Sequence, residues 1–281
     1  MNKDKLEQIA NILRSKLVET SHRAEVPHLG SCLSCLDILV TLYWAVLRID
    51  PLYFDDPTRD RFILSKGHGA PALFQVLAMK SFFKEALLDS YHQDGSLFGE
   101  HPLAYGVPGI EAATGSLGHG LSIGIGLALG ARIRGIKNRI YVLLSDGECN
   151  EGSIWEAALF ASAKKLGRLV IIIDFNKWQA TGRSEEIMAI SPLKEKWHAF
   201  GWDAIEVDGH DMEALQRLLN KPVEDNQRPL SIVAHTIKGK GISFMEDNNN
   251  WHYRIPTKEE VMAAQRELNL IKEKNAERIC G

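Results

Sequence analysis

Short apolar runs alternate with segments of helical spacing along most of the chain. The runs are four to six residues long and mostly hydrophobic. Strands of this kind are typical of a parallel sheet that helices cover on both faces. The pattern therefore predicts an α/β fold with a doubly wound, mostly parallel sheet. The predicted strands are 61–65, 140–144, 169–174, 204–207 and 230–235.

Apolar residues three or four positions apart predict the helices of this fold. Pro71 is typical of the first turn of a helix. Thr257 and Glu260 form a candidate capping box for a C-terminal helix over 257–274. No repeat, low-complexity tract or linker interrupts the pattern, so we expect a single domain over residues 1–281. The other predicted helices are 4–19, 34–47, 116–134, 153–166 and 211–219.

Small residues recur every four positions on the predicted helix 116–134. Two such faces allow close approach of another backbone, either inside the domain or at a subunit interface. We favour the interface. The small residues are Gly120, Gly124 and Ala128 on one face and Ser122, Gly126 and Gly130 on the other.

Composition and charge exclude several classes of protein. The 281 residues are 45% hydrophobic and carry a formal net charge of −3, which gives no reason to expect binding to nucleic acid or to a membrane surface. The longest apolar stretch, 38–47, has about half of the roughly 20 residues that span a bilayer. The first residues lack the apolar core of a signal peptide, so we expect a cytoplasmic protein. Cys32 and Cys35 form a lone C-x-x-C, which we interpret as structural because no second ligand pair accompanies it.

Polar residues follow two successive predicted strands at the points where these strands end. Ser145-Asp146-Gly147 comes after 140–144, and Asn176 comes after 169–174. Ligands of open parallel sheets bind outside the carboxyl ends of the strands, and a hard cation such as Mg²⁺ takes oxygen ligands. A tight turn in which Asp146 and Asn176 cap the backbone explains the same spacing. The spacing alone leaves both interpretations open.

The segment from Ser145-Asp146-Gly147 to Asn176 resembles the signature of thiamine-diphosphate enzymes, which is Gly-Asp-Gly followed after about 25–30 residues by Asn. Further segments resemble transketolase, occur in the order of that family and extend from about residue 20 to residue 256. They are Pro27-His28-Leu29-Gly30, the stretch from Phe62 to Gly69, Gly99-Glu100-His101-Pro102, the stretch from Thr114 to Gly120, the loop from Thr236 to Gly241, and Trp251-His252.

The resemblance implies a cofactor site made of named residues. Asp146, Asn176 and the backbone carbonyl of Trp178 would bind the metal, which is Mg²⁺ with Ca²⁺ or Mn²⁺ as alternatives, and the metal would bind the two phosphates of thiamine diphosphate. The residues implied to contact the cofactor are His68, Gly115, Ser116, Leu117, Gly147, Glu151, Asn176, Ala180, Lys238 and His252.

The resemblance also implies a catalytic channel lined by His28, His68, His101 and His252. An imidazole can donate or accept a proton near neutral pH and can hydrogen-bond sugar hydroxyls. We expect His252 or His101 to transfer the proton at the carbon–carbon bond that is cleaved, and His28 to act on the acceptor sugar.

The expected activity is transfer of a two-carbon ketol unit from a ketose, or its phosphate, to an aldose or its phosphate. No segment resembles the family's pyrimidine-binding domain, which supplies the glutamate that activates the cofactor. We therefore expect the N-terminal subunit of a split transketolase, active only with a C-terminal partner subunit in an A2B2 heterotetramer. The alternatives are a transketolase-like subunit for unusual sugars, another thiamine-diphosphate enzyme such as a dehydrogenase E1 subunit, and a non-catalytic cofactor-binding subunit.

Overall fold

Five parallel strands form one sheet in the computed structural model, which describes residues 1–269 of the chain. The strand order is β1-β2-β3-β5-β4, and every neighbouring pair is parallel. The predicted α/β fold class is thereby confirmed. The strands are β1 (Arg61–Leu64), β2 (Ile140–Ser145), β3 (Leu169–Phe175), β4 (Asp203–Asp208) and β5 (Leu230–His235).

Helices cover both faces of this sheet. One apolar core lies between the sheet and α1, α2, α3, α4, α9 and α10, and a second lies between the sheet and α5, α6 and α8. Nowhere in residues 1–269 does a helix combine the length and apolar character that crossing a membrane requires. The helices are α1 (Lys3–Ala24), α2 (Leu29–Ser34), α3 (Leu36–Thr41), α4 (Ala70–Met79), α5 (Gly120–Ile133), α6 (Gly152–Ala163), α7 (Ser184–Ile187), α8 (Leu193–Ala199), α9 (Met212–Leu219) and α10 (Lys258–Glu267).

The central strands explain where the polar residues of interest fall. Every residue of β2 and β3 is buried, as expected for strands covered on both faces. Their register pairs Ser145 with Asp174. Because parallel strands end at the same edge of the sheet, Asp146 and Asn176 emerge side by side.

The helix predicted over 34–47 is confirmed from Leu36 to Val46, as α3 followed by a π-helical turn over Leu42–Val46. A break at Cys35 separates it from α2, which was not predicted. The carbonyl of Ser31, which an unbroken helix would pair with the Cys35 N–H, accepts a hydrogen bond from Lys66 Nζ at 2.9 Å. A tertiary contact therefore accompanies the interruption, and the local apolar pattern does not reveal it.

Other boundaries also differ from the predictions, and two further short helices were not predicted. Helix α1 ends at Ala24 rather than at 19, α5 begins at Gly120 rather than at 116, and α7 and α8 lie in a region where no helix was expected. The capping box of Thr257 and Glu260 is confirmed, and α10 ends at Glu267. Residues 270–274 of the predicted C-terminal helix lie outside the described residues.

The two small-residue faces of α5 have different roles. A Cβ atom added to Gly120 would lie 2.2 Å from Ser65 Oγ, and one added to Gly124 would lie 2.6 Å from Val142 Cγ2. This face therefore packs inside the domain, and the interface prediction is wrong for it. A Cβ at Gly126 would meet nothing within 4 Å. The second face remains a predicted contact between subunits.

We expect substitution of the two α5 glycines to have opposite effects on stability. Gly124→Ala should lower the free energy of unfolding by about 1–3 kcal/mol, because the new methyl group overlaps a buried valine of β2. Gly126→Ala is the matched control, and it should raise stability by about 0.5–1 kcal/mol because alanine is the better helix former. Urea unfolding of the full chain measures both values. Equal effects of the two variants would show that α5 does not pack on the sheet in this way.

Candidate active site

Asp146 lies directly after β2 and is only 1% exposed. Its Oδ1 accepts a hydrogen bond from the Gly147 N–H at 2.9 Å, and its Oδ2 accepts from the Lys177 N–H at 3.0 Å and from Ser184 Oγ at 2.7 Å. Burial raises the pKa of Asp146 to about 6. A bound divalent cation would compensate this buried charge, so the donor set fits a metal.

Asn176 lies beside Asp146 and is held by its own hydrogen bonds. Its Oδ1 accepts from the Trp178 N–H at 3.1 Å, and its Nδ2 is 3.3 Å from Asp174 Oδ2. The donating side of the amide therefore faces Asp174, and Oδ1 keeps a second lone pair for a ligand. Both Asp146 and Asn176 cap backbone N–H groups, so the turn interpretation describes part of their role.

A metal at this position would take few ligands from the protein. No group of three or more His, Cys, Asp or Glu side chains within residues 1–269 is placed to hold a metal ion. Asp146, Asn176 and a backbone carbonyl are oxygen donors, and Mg²⁺ commonly completes its shell with phosphate oxygens and water. Cys32 and Cys35 are buried, and burial raises the pKa of each thiol to about 12, in keeping with a structural role.

Lys66 and Asp174 form a fully buried ion pair that the sequence did not single out. Asp174 also accepts hydrogen bonds from Ser34 Oγ at 2.6 Å and from Thr236 Oγ1. Burial by itself would raise the pKa of the Asp174 carboxyl, but the Lys66 ammonium and these hydrogen bonds hold it below its usual value. The pair orients the amide of Asn176. The sequence shows the motif that contains Lys66, but it does not show that the Lys66 side chain is buried.

Three of the four predicted channel histidines form one cluster. The ring centroids of His28 and His252 are 4.8 Å apart, those of His28 and His68 are 5.5 Å apart, and those of His68 and His252 are 6.1 Å apart. His101 packs against Gly115, where an added Cβ would lie 3.0 Å from His101 Cδ2. Gly115 also has a φ of +149°, so a side chain there is disfavoured both by its backbone and by His101.

The clustered imidazoles are kept neutral. Burial lowers the pKa of His28 and of His68, and Lys66 lowers that of His68 further. The Glu100 carboxylate raises the pKa of His28 in part, but the net shift is downward. Burial together with Lys238 lowers the pKa of His252 to about 3. Neutral imidazoles can accept a proton on one nitrogen and donate a hydrogen bond from the other.

Lys238 determines which nitrogen of His252 carries hydrogen. Its Nζ lies 3.1 Å from His252 Nδ1 and donates to Asn249 Oδ1 at 2.7 Å. Burial lowers the pKa of Lys238 to about 8, so the ammonium form prevails at neutral pH. Because an ammonium only donates, His252 Nδ1 accepts, and the neutral ring carries its hydrogen on Nε2. In this state His252 is a hydrogen-bond donor toward a ligand rather than a base.

The loop before α5 carries two predicted cofactor contacts besides Gly115. Ser116 is exposed and Leu117 is partly buried at the open edge of the site. The loop is held by Glu148, a fully buried carboxylate that accepts from the Gly118 N–H at 2.8 Å and from Ser65 Oγ. Burial raises the pKa of Glu148. The sequence prediction missed this residue because it reads as one of several polar residues in a turn.

The remaining predicted contacts lie on the turns that follow β2 and β3. A Cβ added to Gly147 would lie 3.1 Å from Gln179 Cγ, so this turn lies close to the one after β3. Glu151 is exposed as the N-cap residue of α6, and its side chain makes no capping hydrogen bond. The indole of Trp178 stacks on the Arg183 guanidinium at 3.7 Å. The carbonyl of Ala180 accepts from Asn249 Nδ2 at 3.2 Å.

We expect the neutral state of His252 to make the fold sensitive to acid. Because its folded pKa lies below that of the unfolded chain, its contribution is fully present above pH 6.5 and is lost as the pH falls toward 3. Between pH 7 and pH 5 this loss amounts to about 2 kcal/mol. Urea unfolding at both pH values should therefore show a smaller difference for His252→Asn than for the wild type. His198→Asn, at an exposed position, is the control and should keep the wild-type difference. A wild-type difference in His252→Asn would contradict the assignment.

Comparison with known proteins identifies relatives of this site and fold. The family described as "Transketolase, thiamine diphosphate binding domain" matches residues 5–276. The structure of transketolase from Campylobacter jejuni has a TM-score of 0.88 at 26% sequence identity, covering 96% of this chain and 43% of that chain.

Sequence relatives fall into a short and a long group. A subunit of apulose-4-phosphate transketolase from Phocaeicola vulgatus is 42% identical over 256 residues, covering 91% of each chain. The 6-deoxy-6-sulfo-D-fructose transketolase subunit of a Clostridium species is 39% identical and covers 94% of this chain and 96% of that one. Human transketolase is 37% identical over 88% of this chain, which spans only 39% of the human protein. The chain therefore belongs to the transketolase family and contains its thiamine diphosphate-binding domain.

Proposed function

We propose that this chain is the diphosphate-binding, N-terminal subunit of a two-chain transketolase. The proposed reaction transfers a two-carbon ketol unit from a ketose to an aldose with thiamine diphosphate and a divalent metal such as Mg²⁺. One observation carries the proposal. A buried oxygen-donor pair, Asp146 and Asn176, and a cluster of neutral histidines share one region of the structure, and the Lys66 and Lys238 charges act on both.

Different residues of this chain would bind the cofactor and the sugar. Asp146, Asn176 and the carbonyl of Trp178 would hold the metal that binds the diphosphate. Thiamine diphosphate, when bound, supplies the carbon nucleophile for breaking and making the carbon–carbon bond. The Nε2–H of His252 would donate a hydrogen bond to a substrate oxygen, and a second neutral imidazole of the cluster would accept the hydroxyl proton.

A partner chain is proposed on two grounds. The relatives matched over nearly their whole length are themselves named as subunits of transketolases, and this chain spans about two fifths of full-length transketolases. Helices α5 and α6 also present large apolar side chains to solvent, including Ile133 at 85% and Leu159 at 58% exposure. Such surfaces are typical of protein contacts. The partner would supply the pyrimidine-binding domain and its activating glutamate, in a cytoplasmic A2B2 heterotetramer.

The names of the short relatives favour an unusual sugar as substrate. Two act, by their names, on apulose 4-phosphate and on 6-deoxy-6-sulfo-D-fructose, and these share more sequence with this chain than human transketolase does. A second candidate function is therefore ketol transfer from a branched or sulfonated ketose. A panel of common, branched and sulfonated ketoses assayed with the reconstituted enzyme distinguishes the two candidates.

We expect Asp146→Ala to abolish metal-dependent cofactor binding, because it removes the buried carboxylate of the proposed metal site. Calorimetric titration of thiamine diphosphate into the reconstituted enzyme, with and without Mg²⁺, measures this binding. Asp203→Ala, at an exposed position at the start of β4, should bind as the wild type does. Unchanged Mg²⁺-dependent binding by Asp146→Ala would mean that the metal is held elsewhere.

We expect the purified chain alone to have no ketol-transfer activity and to gain it when the C-terminal subunit is added. A coupled assay with thiamine diphosphate, Mg²⁺ and the ketose panel measures the activity. The partner combined with the Asp146→Ala chain controls for activity of the partner itself and should be inactive. Ketol transfer by the single chain would overturn the two-chain proposal.

A further inference from the structure

The carboxylate of Glu100 lies beside the histidine cluster, and neither the resemblance nor the proposed function gives it a role. Glu100 directly precedes His101, one of the predicted channel histidines. Its carboxylate adds a negative charge next to His28, on which the other charged groups that act are His101, Lys66 and Lys238.

The nearest polar atom to this carboxylate in the cluster belongs to His28. Glu100 Oε1 lies 3.2 Å from His28 Nδ1, and the side chains are 36% and 16% exposed. The contact lacks hydrogen-bond geometry, and the buried Nδ1 has no hydrogen-bond partner in the described part of the chain. A buried ring nitrogen without a partner is unfavourable, and hydrogen bonds in ligand-free active sites are often misaligned. Glu100 is partly exposed, which leaves its side chain room to turn toward Nδ1.

The backbone of His28 is held in place by its own hydrogen bonds. His28 has a φ of +70°, an uncommon conformation for a residue other than glycine. Its N–H donates to the His252 carbonyl at 2.8 Å, and its carbonyl accepts from the Ser31 and Cys32 N–H groups at 3.0 Å. The strained backbone is held on both sides, which is typical of functional sites. In this position of the ring Nδ1 is buried, so a ligand would approach Nε2.

Charged residues of opposite sign lie behind the two neighbouring rings. The Lys238 ammonium contacts His252 Nδ1, whereas the Glu100 carboxylate faces His28 Nδ1. An ammonium forces the nitrogen that it contacts to accept, and a carboxylate favours a hydrogen on the nitrogen that it faces. The rings are perpendicular, with centroids 4.8 Å apart. Of these two neighbouring imidazoles, one would therefore present a hydrogen-bond donor to the ligand and the other an acceptor.

We propose that Glu100 is a positioning residue that acts through His28. Its carboxylate accepts a hydrogen bond from the His28 Nδ1–H, so that His28 presents an unprotonated Nε2 that accepts a substrate hydroxyl proton, while His252 presents Nε2–H. The inference rests on the proposed function for its catalytic part. The tautomer of His28 is a property of the chain and is independent of that function.

The tautomer is measured first. Long-range ¹H–¹⁵N correlation spectra of the full chain with ¹⁵N-labelled histidine distinguish the two neutral tautomers, and the loss of one signal in His28→Asn assigns His28. We expect the Nδ1–H tautomer in the wild type and a shift toward Nε2–H in Glu100→Ala. An Nε2–H tautomer in the wild type, or an unchanged signal in Glu100→Ala, overturns the proposal whether or not the chain proves to be a ketol transferase.

The kinetic test uses the chain reconstituted with its partner subunit. Glu100→Ala should lower kcat by roughly tenfold or more, because the proton acceptor is no longer held in the active tautomer. Glu100→Gln should recover part of the rate, since its amide oxygen can still accept from Nδ1–H. The matched control is Glu206→Ala, whose carboxylate lies 3.8 Å from His235 Nε2 outside the cluster, and it should leave kcat unchanged. A rise in KM at unchanged kcat in Glu100→Ala would overturn the proposal, because it would mean that Glu100 only binds substrate. A wild-type complex without ketol transfer would refute the proposed function, and the spectra would then decide the role of Glu100.

Discussion

The candidate site depends on the fully buried ion pair between Lys66 and Asp174. Removing two charges from water carries a large desolvation penalty, which only close pairing and further hydrogen bonds can offset. Here the pair receives those bonds from different parts of the chain. Lys66 donates to the Ser31 carbonyl in α2, and Asp174 accepts from Ser34 and Thr236. One interaction thereby joins α2, the segment after β1, the end of β3 and the residue after β5.

The buried ion pair also affects the proposed metal ligands. With Asp174 satisfied by its donors, the amide group of Asn176 is oriented so that its oxygen remains available. Asp146 receives three hydrogen bonds but contacts no cationic side chain among residues 1–269, and its pKa is raised whereas that of Asp174 is lowered. The protein thus contains one carboxylate whose charge is compensated internally and one that a metal would compensate. The two carboxylates differ because the Lys66 ammonium contacts Asp174 and not Asp146.

Burial also determines the protonation state of the clustered histidines. Burial and neighbouring lysines disfavour the imidazolium form, so the cluster cannot act through positive charge. The rings then differ in the charged residue that lies next to Nδ1. Lys238 contacts His252, and Glu100 faces His28. In the proposed mechanism the histidines would exchange protons, and the charged neighbour of each ring would determine which of its nitrogens carries hydrogen.

The sequence by itself determined the parallel α/β sheet and the edge at which the site lies, because both follow from local patterns: short apolar runs predict buried strands, and the residues after them fall at the carboxyl edge. Ordered motifs also placed His28, His68 and His252 in one site. Only the tertiary structure decided which face of α5 packs on the sheet, where the break between α2 and α3 lies, and which polar residues are buried. Those outcomes depend on contacts between residues far apart in the chain, such as Lys66 with Asp174, and no local periodicity encodes the burial or the partner of a single charged side chain.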